Sequence, residues 1–136
     1  MTDQLGFEPD SLEPRLLCAL RRLTREAGTL SIDECLVRAQ NHMEEAIAAA
    51  QLKPSVNVPL VRALFATCES IVADFDTIPA YAKAWIKGAI LYFVETDDDE
   101  HDFDSFLGFE DDCQVLNVCL KLAGREDLMI NPEDYD

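Results

Sequence analysis

Apolar residues recur at intervals of three and four positions along most of this 136-residue chain, and this spacing is the strongest constraint on its fold. Such intervals place apolar side chains on one face of an α-helix, whereas a half-buried strand would alternate with a period of two. The sequence contains no alternating run and no Asn-Gly or Asp-Gly hairpin signal. The pattern predicts an all-α fold, a compact bundle of about five helices in a single domain spanning residues 1–136, with 1–10 and 131–136 peripheral.

Capping and termination residues delimit the first two helices. Ser11 is placed to cap the first helix, Pro14 falls in its first turn, and Gly28 is placed to end it. The run Ser31–Glu34 has capping-box spacing and opens a second helix that continues to about Leu52. The apolar residues predicted to form its buried stripe are Ile32, Leu36, Ala39, Met43, Ile47 and Ala50.

Proline residues separate the later helices. Pro54 and Pro59 interrupt the helical pattern before a third helix that reaches about Phe75. Thr77 is placed to cap a fourth helix over about 79–95, which is apolar around most of its circumference. A helix of that kind belongs at the centre of a bundle.

The last helix follows an acidic loop. It is predicted to begin near Glu110, where acidic side chains suit the positive end of the helix dipole, and to end before Gly124. The tail beyond it is polar and is expected to pack on the bundle only through Leu128, Met129 and Ile130.

Negative charge is concentrated at the C-terminal end of the sequence. The formal net charge is −16; residues 1–94 hold 12 acidic and 9 basic residues, whereas residues 95–136 hold 15 acidic and 2 basic residues. So uneven a distribution repels nucleic acid and anionic membranes and attracts basic proteins or cations. It predicts a basic protein partner and no direct binding of nucleic acid or membrane.

Cysteine usage and hydropathy indicate a cytoplasmic protein. The 5 cysteines are odd in number and no pair has C-x-x-C spacing, which is typical of free thiols in a reducing compartment. All five lie within apolar helical patterns, and we expect them to pack as small buried side chains. The longest apolar stretch, Ala84–Val94, contains Lys87 and Gly88 and is too short to span a bilayer. The first ten residues lack the basic and apolar regions of a signal peptide.

One stretch resembles a known family. The run from Tyr92 through Asp98, followed by Asp102 and by the Gly-x-x-Asp-Asp element of 108–112, is similar to the YkvA-like family, a small bacterial domain of unknown function. Members often carry prolines in this loop, and this chain has none between Pro79 and Pro132. The resemblance covers about residues 82–122 and implies a helical hairpin held by buried or half-buried aspartates, with no established activity.

The aspartates of this region have two further interpretations. Asp111 and Asp112 at the start of the last helix are candidates for structural capping, since backbone N–H groups there lack partners. Converging carboxylates could instead bind Ca²⁺ or Mg²⁺, with Asp98, Asp102, Asp111 and Asp112 as candidate ligands. No start position, however, gives the Gly and Glu spacing of an EF-hand loop.

No sequence pattern indicates catalysis. Phosphate-binding, nucleophile-elbow and H-E-x-x-H motifs are all missing, and the prediction is that the protein is not an enzyme and has no cofactor. His42 is interpreted as a surface or hydrogen-bonded helix residue, and His101 as a histidine kept protonated by neighbouring carboxylates. Trp85 and its aromatic neighbours are interpreted as core rather than as a ligand pocket.

The leading hypothesis is a non-catalytic interaction protein that docks a basic partner. Immunity or inhibitor proteins, nucleic-acid mimics and accessory subunits all fit this description. The alanine run Ala46–Ala50 also permits a homodimer. The candidate partner-binding residues are Asp97, Asp98, Asp99, Glu100, Asp102, Asp104 and Glu110.

Overall fold

A computed structural model of the chain describes residues 12–53, 56–95 and 108–135. Its α-helices are α1 (Pro14–Glu26), α2 (Ile32–Ala50), α3 (Val58–Ala73), α4 (Ala80–Val94) and α5 (Gly108–Leu122). Short 3-10 helices follow at Ala27–Thr29, Phe75–Thr77, Glu126–Leu128 and Pro132–Tyr135. These ranges contain no strand, and the predicted all-α fold is confirmed for them.

Local side-chain caps start α2 and α3. The Glu34 N–H donates to Ser31 Oγ at 3.1 Å, and the Ser31 N–H donates to Glu34 Oε1 at 3.2 Å, which confirms the predicted capping box. At the start of α3, the Leu60 N–H donates to Asn57 Oδ1 at 3.1 Å. Pro59 lies in the first turn of α3, where its missing N–H costs no helical hydrogen bond.

Two predicted helix-end residues were wrong. Helix α1 stops at Glu26, and Gly28 lies in the 3-10 turn that follows instead of ending the helix. Thr77 does not cap α4, because its hydroxyl donates to the Asp74 carbonyl at 2.7 Å and so belongs to the turn after α3. Helix α5 begins at Gly108, near the predicted start at Glu110. The predicted cap Ser11 lies outside the described residues.

The buried face of α2 also differs from the predicted stripe. Its buried residues are Cys35, Ala39, His42 and Ala46, whereas the larger apolar side chains of Leu36, Met43 and Ile47 are only partly buried. Helix α2 packs against both α3 and α4, and His42 of this face meets Phe93 of α4. The other three buried side chains are small, which lets the neighbouring helices approach closely. Ala39 belongs to both rows, and at about 100° per residue the buried row is rotated from the predicted stripe by roughly 70° around the helix.

Helix α4 occupies the centre of the described bundle, as predicted. It packs against α1, α2 and α5, while α2 also packs against α3. The side chains of Trp85, Ile86 and Ile90 are fully buried. Gly88 faces α1, where a Cβ atom would lie 2.8 Å from the Thr24 Cα and would also strike the Thr24 hydroxyl. Helices α1 and α4 thus approach at a point where α4 has no side chain.

The C-terminal segment, residues 125–135, is attached through defined polar contacts. Helix α5 ends in a Schellman motif: Gly124 has a φ of 77°, and the Arg125 N–H donates to the Leu120 carbonyl at 2.8 Å. The Asn117 side chain then donates to the Ile130 carbonyl at 2.7 Å and accepts from the Ile130 N–H at 2.8 Å. Ile130 is buried, but Met129 is 43% exposed, so the prediction that Met129 packs on the bundle was wrong.

Among the described helices, none combines the length and the apolar character needed to cross a membrane.

Candidate functional site

The candidate site is the acidic segment, residues 95–112, which runs from the end of α4 into the first residues of α5. The structure describes its two ends, Glu95 and residues 108–112. Glu110 and Asp111 lie in the first turn of α5, as predicted for acidic side chains at a helix N-terminus, and both are partly exposed. The other predicted partner-binding residues lie outside the described residues: Asp97, Asp98, Asp99, Glu100, Asp102 and Asp104.

Helix α1 supplies arginines to both described ends of this segment. Arg15 Nη2 lies 3.5 Å from Asp111 Oδ2, and Arg22 Nη2 lies 3.1 Å from Glu95 Oε2. Arg22 also reaches Glu26, four residues further along α1, at 3.3 Å. The ion pairs therefore tie α1 to the end of α4 and to the start of α5.

These ion pairs lie near the surface, and they raise the pKa of the arginines that form them. The attraction of Asp111 raises the pKa of Arg15, and the hydrogen bond to Glu95 raises the pKa of Arg22. The two guanidinium-bearing side chains are 66% and 50% exposed. Solvent screens exposed pairs, so each contributes at most about 1 kcal/mol to stability.

Asp112 lies in a different environment from Asp111. Its exposed fraction is 3%, whereas the Asp111 side chain is 39% exposed and paired with Arg15. Burial, with the Asp112 charge as a smaller contribution, raises the pKa of Cys68 and of Cys113 to about 12. Asp112 is one residue beyond the first turn of α5, which corrects the predicted placement of both aspartates in that turn.

This difference bears on the predicted cation ligands. Asp111 points to the surface and Asp112 to the interior, so the two carboxylates do not face the same space. The other two candidate ligands, Asp98 and Asp102, lie outside the described residues. Within residues 12–53, 56–95 and 108–135, no group of three or more His, Cys, Asp or Glu side chains could hold a metal ion. The cation site stays a prediction.

The cysteines are not arranged as nucleophiles. Cys35, Cys68, Cys113 and Cys119 are buried, as predicted, and burial raises the pKa of all four thiols. They are therefore protonated at neutral pH. Cys18 on α1 is exposed, which corrects the prediction that every cysteine packs in the core.

The sequence left His42 as either a surface residue or a hydrogen-bonded helix residue, and the structure excludes the surface position. Its exposed fraction is 3%, and its ring packs edge-on against Phe93 of α4 with 4.9 Å between ring centroids. Burial lowers the pKa of His42 to about 4. The neutral imidazole is therefore the form that the folded protein holds at neutral pH. His101 lies outside the described residues.

Further carboxylates lie on the C-terminal segment. Glu126, Asp127, Glu133 and Asp134 are exposed there. Arg125 offsets part of this charge, since it contacts Asp127 at 3.1 Å and Asp74 of the turn after α3 at 3.0 Å. These two hydrogen bonds, that to Asp127 first, raise the pKa of Arg125. Sequence reasoning identified the acidic tail but not this bridge to α3.

Comparison with known proteins adds no assignment. No family model, no curated protein and no solved structure matches the chain. The resemblance to the YkvA-like family stays a prediction based on the residues quoted above.

Proposed function

We propose that this protein is a non-catalytic interaction protein that binds a basic partner protein through the acidic segment and the acidic C-terminal segment. The single observation that carries the proposal is the charge distribution, because residues 95–136 hold 15 acidic and 2 basic residues. Solubility alone would require no such concentration of charge. Complementary charge of this kind accelerates association and selects partners.

The described surface supports the same proposal. Glu110, Glu126, Glu133 and Asp134 are exposed or partly exposed, and none of them forms an ion pair with a basic side chain of the described residues. The charge of Arg125 is shared by Asp74 and Asp127. The carboxylates of Glu110, Glu126, Glu133 and Asp134 are therefore available to a partner.

The proposed partner is a protein of high isoelectric point. An immunity or inhibitor protein that covers a basic active site, a nucleic-acid mimic and an acidic accessory subunit all use such a surface. Each would bind with an affinity that falls as salt concentration rises, because exposed charges are screened over about 8 Å at physiological ionic strength. The candidate contact residues are Asp97, Asp98, Asp99, Glu100, Asp102, Asp104 and Glu110.

Affinity capture from a cell lysate tests the proposal. Wild type is compared with a variant carrying Asn at Asp97, Asp98, Asp99 and Asp102, at low and moderate salt. A matched control removes the same number of charges elsewhere, by Asp33→Asn, Glu44→Gln, Glu45→Gln and Glu69→Gln, all at exposed positions of α2 and α3. A basic protein retained by wild type and by the control, but lost by the first variant, is the expected result.

Two outcomes would count against the proposal. Equal capture by all three proteins would show that residues 97–102 make no contact. Equal loss in both variants would show that only net charge matters, and that no particular surface is used.

Binding of Ca²⁺ or Mg²⁺ by the acidic segment is the alternative function. The alternative predicts that sub-millimolar Ca²⁺, Mg²⁺ or Mn²⁺ raises the melting temperature above that of a control matched in ionic strength. The interaction proposal predicts no such difference.

A further inference from the structure

The C-terminal segment lies against α3 and α5 in the manner of a bound extended peptide. The 3-10 helix Glu126–Leu128 contacts both helices, and the backbone of Met129 is extended, with φ −63° and ψ 148°. The side chains then alternate, since Leu128 is partly buried, Met129 is exposed and Ile130 is buried. Extended peptides that are recognised through every second side chain show this pattern.

The bundle holds Leu128 and Ile130 through their backbone groups and their apolar side chains. The Asn117 side-chain amide donates to the Ile130 carbonyl at 2.7 Å and accepts from the Ile130 N–H at 2.8 Å. The Thr67 hydroxyl donates to the Leu128 carbonyl at 3.4 Å. Any peptide with two aliphatic residues two positions apart offers the same groups, so these contacts do not require that the peptide belong to the same chain.

Charge disfavours the chain's own segment at this place. Residues 125–136 hold 5 acidic and 1 basic residue, and the rest of the chain holds 22 acidic and 10 basic residues. The two parts carry like net charge, and Arg125, the basic residue of this stretch, offsets part of the repulsion through Asp74 of the turn after α3. A peptide with lysine or arginine beside the same two aliphatic side chains would be attracted instead.

We propose that Thr67 and Asn117 belong to a peptide-binding site formed by α3 and α5, which the C-terminal segment occupies in the free protein. The partner that fits it is an extended peptide with two aliphatic side chains two positions apart and basic flanking residues. The site is separate from the acidic segment, so the inference goes beyond the proposed function.

The C-terminal segment acts at this site as a tethered competitor. It is joined to α5 by the left-handed turn at Gly124, with no further linker. Attachment at so short a distance gives a high effective concentration, about millimolar or above. A partner peptide therefore binds only when it displaces the segment.

Fluorescence anisotropy of a labelled peptide measures binding to the full-length protein. The receptor is the Leu128→Ala/Ile130→Ala variant, in which the protein's own segment is held less tightly. A control peptide has the charge of the probe but carries alanine at the positions of Leu128 and Ile130. The probe itself has the sequence of residues 126–135, in which lysine replaces Glu126, Asp127, Glu133 and Asp134.

We expect the receptor variant to bind the probe at least about tenfold more tightly than wild type does. It should also bind the probe at least about tenfold more tightly than the control peptide, because the control lacks the two aliphatic side chains that become buried. The peptide with the natural acidic residues should bind more weakly than the probe, by a factor that decreases as salt is raised.

Substitutions on α5 locate the site. Asn117→Ala, added to the receptor variant, removes two hydrogen bonds to the peptide backbone and should weaken binding of the probe roughly tenfold. Gln114→Ala, at an exposed position of the same helix, should leave the affinity within about twofold. Far-UV circular dichroism and melting curves establish that each variant is folded.

Hydrogen exchange on the wild-type protein tests displacement without any substitution. Probe in excess should accelerate exchange at the Ile130 amide, because the displaced segment loses its hydrogen bond to Asn117. The control peptide should leave this exchange unchanged. Unchanged exchange with the probe as well would contradict displacement of the segment.

Three further outcomes would overturn the inference. Equal affinity for the probe and the control peptide would show that charge alone attracts the peptide. Binding unaffected by Asn117→Ala would place the peptide elsewhere on the protein. A wild-type dimer in sedimentation equilibrium that Ile130→Ala dissociates would assign the site to the C-terminal segment of a second copy. None of these results depends on residues 95–112, so they leave the test of the proposed function unaffected.

Discussion

Different interactions stabilise two regions of the molecule, the contact between α1 and α4 and the attachment of the C-terminal segment. At Gly88 the two helices meet through close packing, with Thr24 only 1% exposed and its Cα within reach of any added Cβ. The C-terminal segment is held instead by the two hydrogen bonds between Asn117 and Ile130 and by the burial of the Ile130 side chain. The first contact depends on shape, and the second on paired polar groups.

This difference has consequences for stability. A tightly packed interior transmits any added volume to its neighbours, so a change at Gly88 should affect the whole bundle. A segment fixed by a few polar contacts opens locally, with a free energy below that of global unfolding. The two regions should therefore respond to substitution on different scales.

Gly88→Ala should have the largest effect. The added methyl group meets the Thr24 hydroxyl and lies 2.8 Å from the Thr24 Cα, so the helix backbones must move apart. We expect a loss of about 3 kcal/mol in the free energy of unfolding, at the upper end for overpacked sites. Chemical denaturation measures it.

The matched control for that substitution is Gly28→Ala. No atom lies within 4 Å of a Cβ built at Gly28, so its stability should stay within about 1 kcal/mol of wild type. Thr24→Ala combined with Gly88→Ala should restore only part of the loss, because the Thr24 Cα is still in the way. Full recovery would mean that the hydroxyl alone limits the approach.

His42 should make the packed interior sensitive to acid. Its pKa of about 4 in the folded protein lies below the ordinary value of 6.5, so unfolded chains take up the proton first. Stability is therefore complete above pH 6.5 and falls as the pH drops towards 4. The loss between pH 7.5 and pH 5 should be about 2 kcal/mol.

Denaturation at both pH values checks this expectation with two variants. His42→Gln should remove most of the decrease between pH 7.5 and pH 5, whereas His101→Gln, which changes the other histidine, should retain it. If both variants lose stability as wild type does, carboxylates rather than His42 cause the acid sensitivity.

His42 also shows what sequence reasoning could and could not recover. Local signals were sufficient where the structure is local: the Ser31–Glu34 capping box and the helical periodicity needed no information from elsewhere in the chain. The rotation of α2 was missed because hydrophobicity favoured Met43 and Ile47, whereas the face that is buried against the neighbouring helices carries mostly small side chains. Cys35, Ala39, His42 and Ala46 do recur at helical spacing, and that row was a signal in the sequence.

The candidate site was recoverable only in part, for a similar reason. Charge counts located the acidic segment, and helix-dipole arguments placed Glu110 and Asp111 at the start of α5. The pairing of Arg15 with Asp111 joins residues far apart in sequence, and it depends on how α1 packs in the bundle. Periodicity predicts which face of a helix is buried, but it does not predict which other helix packs against that face.

Asn117→Ala should have an intermediate effect, confined to the C-terminal segment. The change removes both hydrogen bonds to Ile130, so the backbone N–H and carbonyl of Ile130 must form hydrogen bonds with water instead. We expect local opening to become easier by about 1–2 kcal/mol. Hydrogen exchange at the Ile130 amide should accelerate, whereas Gln114→Ala at an exposed position of the same helix should not change it. Unchanged exchange in Asn117→Ala would show that burial of Ile130 is sufficient.

Arg125→Gln should have the smallest effect, although Arg125 also bridges the C-terminal segment to Asp74. The hydrogen bond from Arg125 lowers the pKa of Asp127, and solvent screens the pair because Asp127 is exposed and Arg125 is partly exposed. Any stability from this shift is present above the ordinary pKa of Asp127 and is lost as the pH falls through the lowered value. The variant should return the pKa of Asp127 towards its ordinary value in an NMR titration, whereas Arg38→Gln should not. Its melting temperature at pH 7 should equal that of wild type.

Faster hydrogen exchange at Ile130 would contradict this expectation. If Arg125→Gln accelerated that exchange as much as Asn117→Ala does, the ion pairs of Arg125 would also hold the C-terminal segment in place. Surface charge, and not only the hydrogen bonds of Asn117, would then distinguish this segment from the packed contact between α1 and α4.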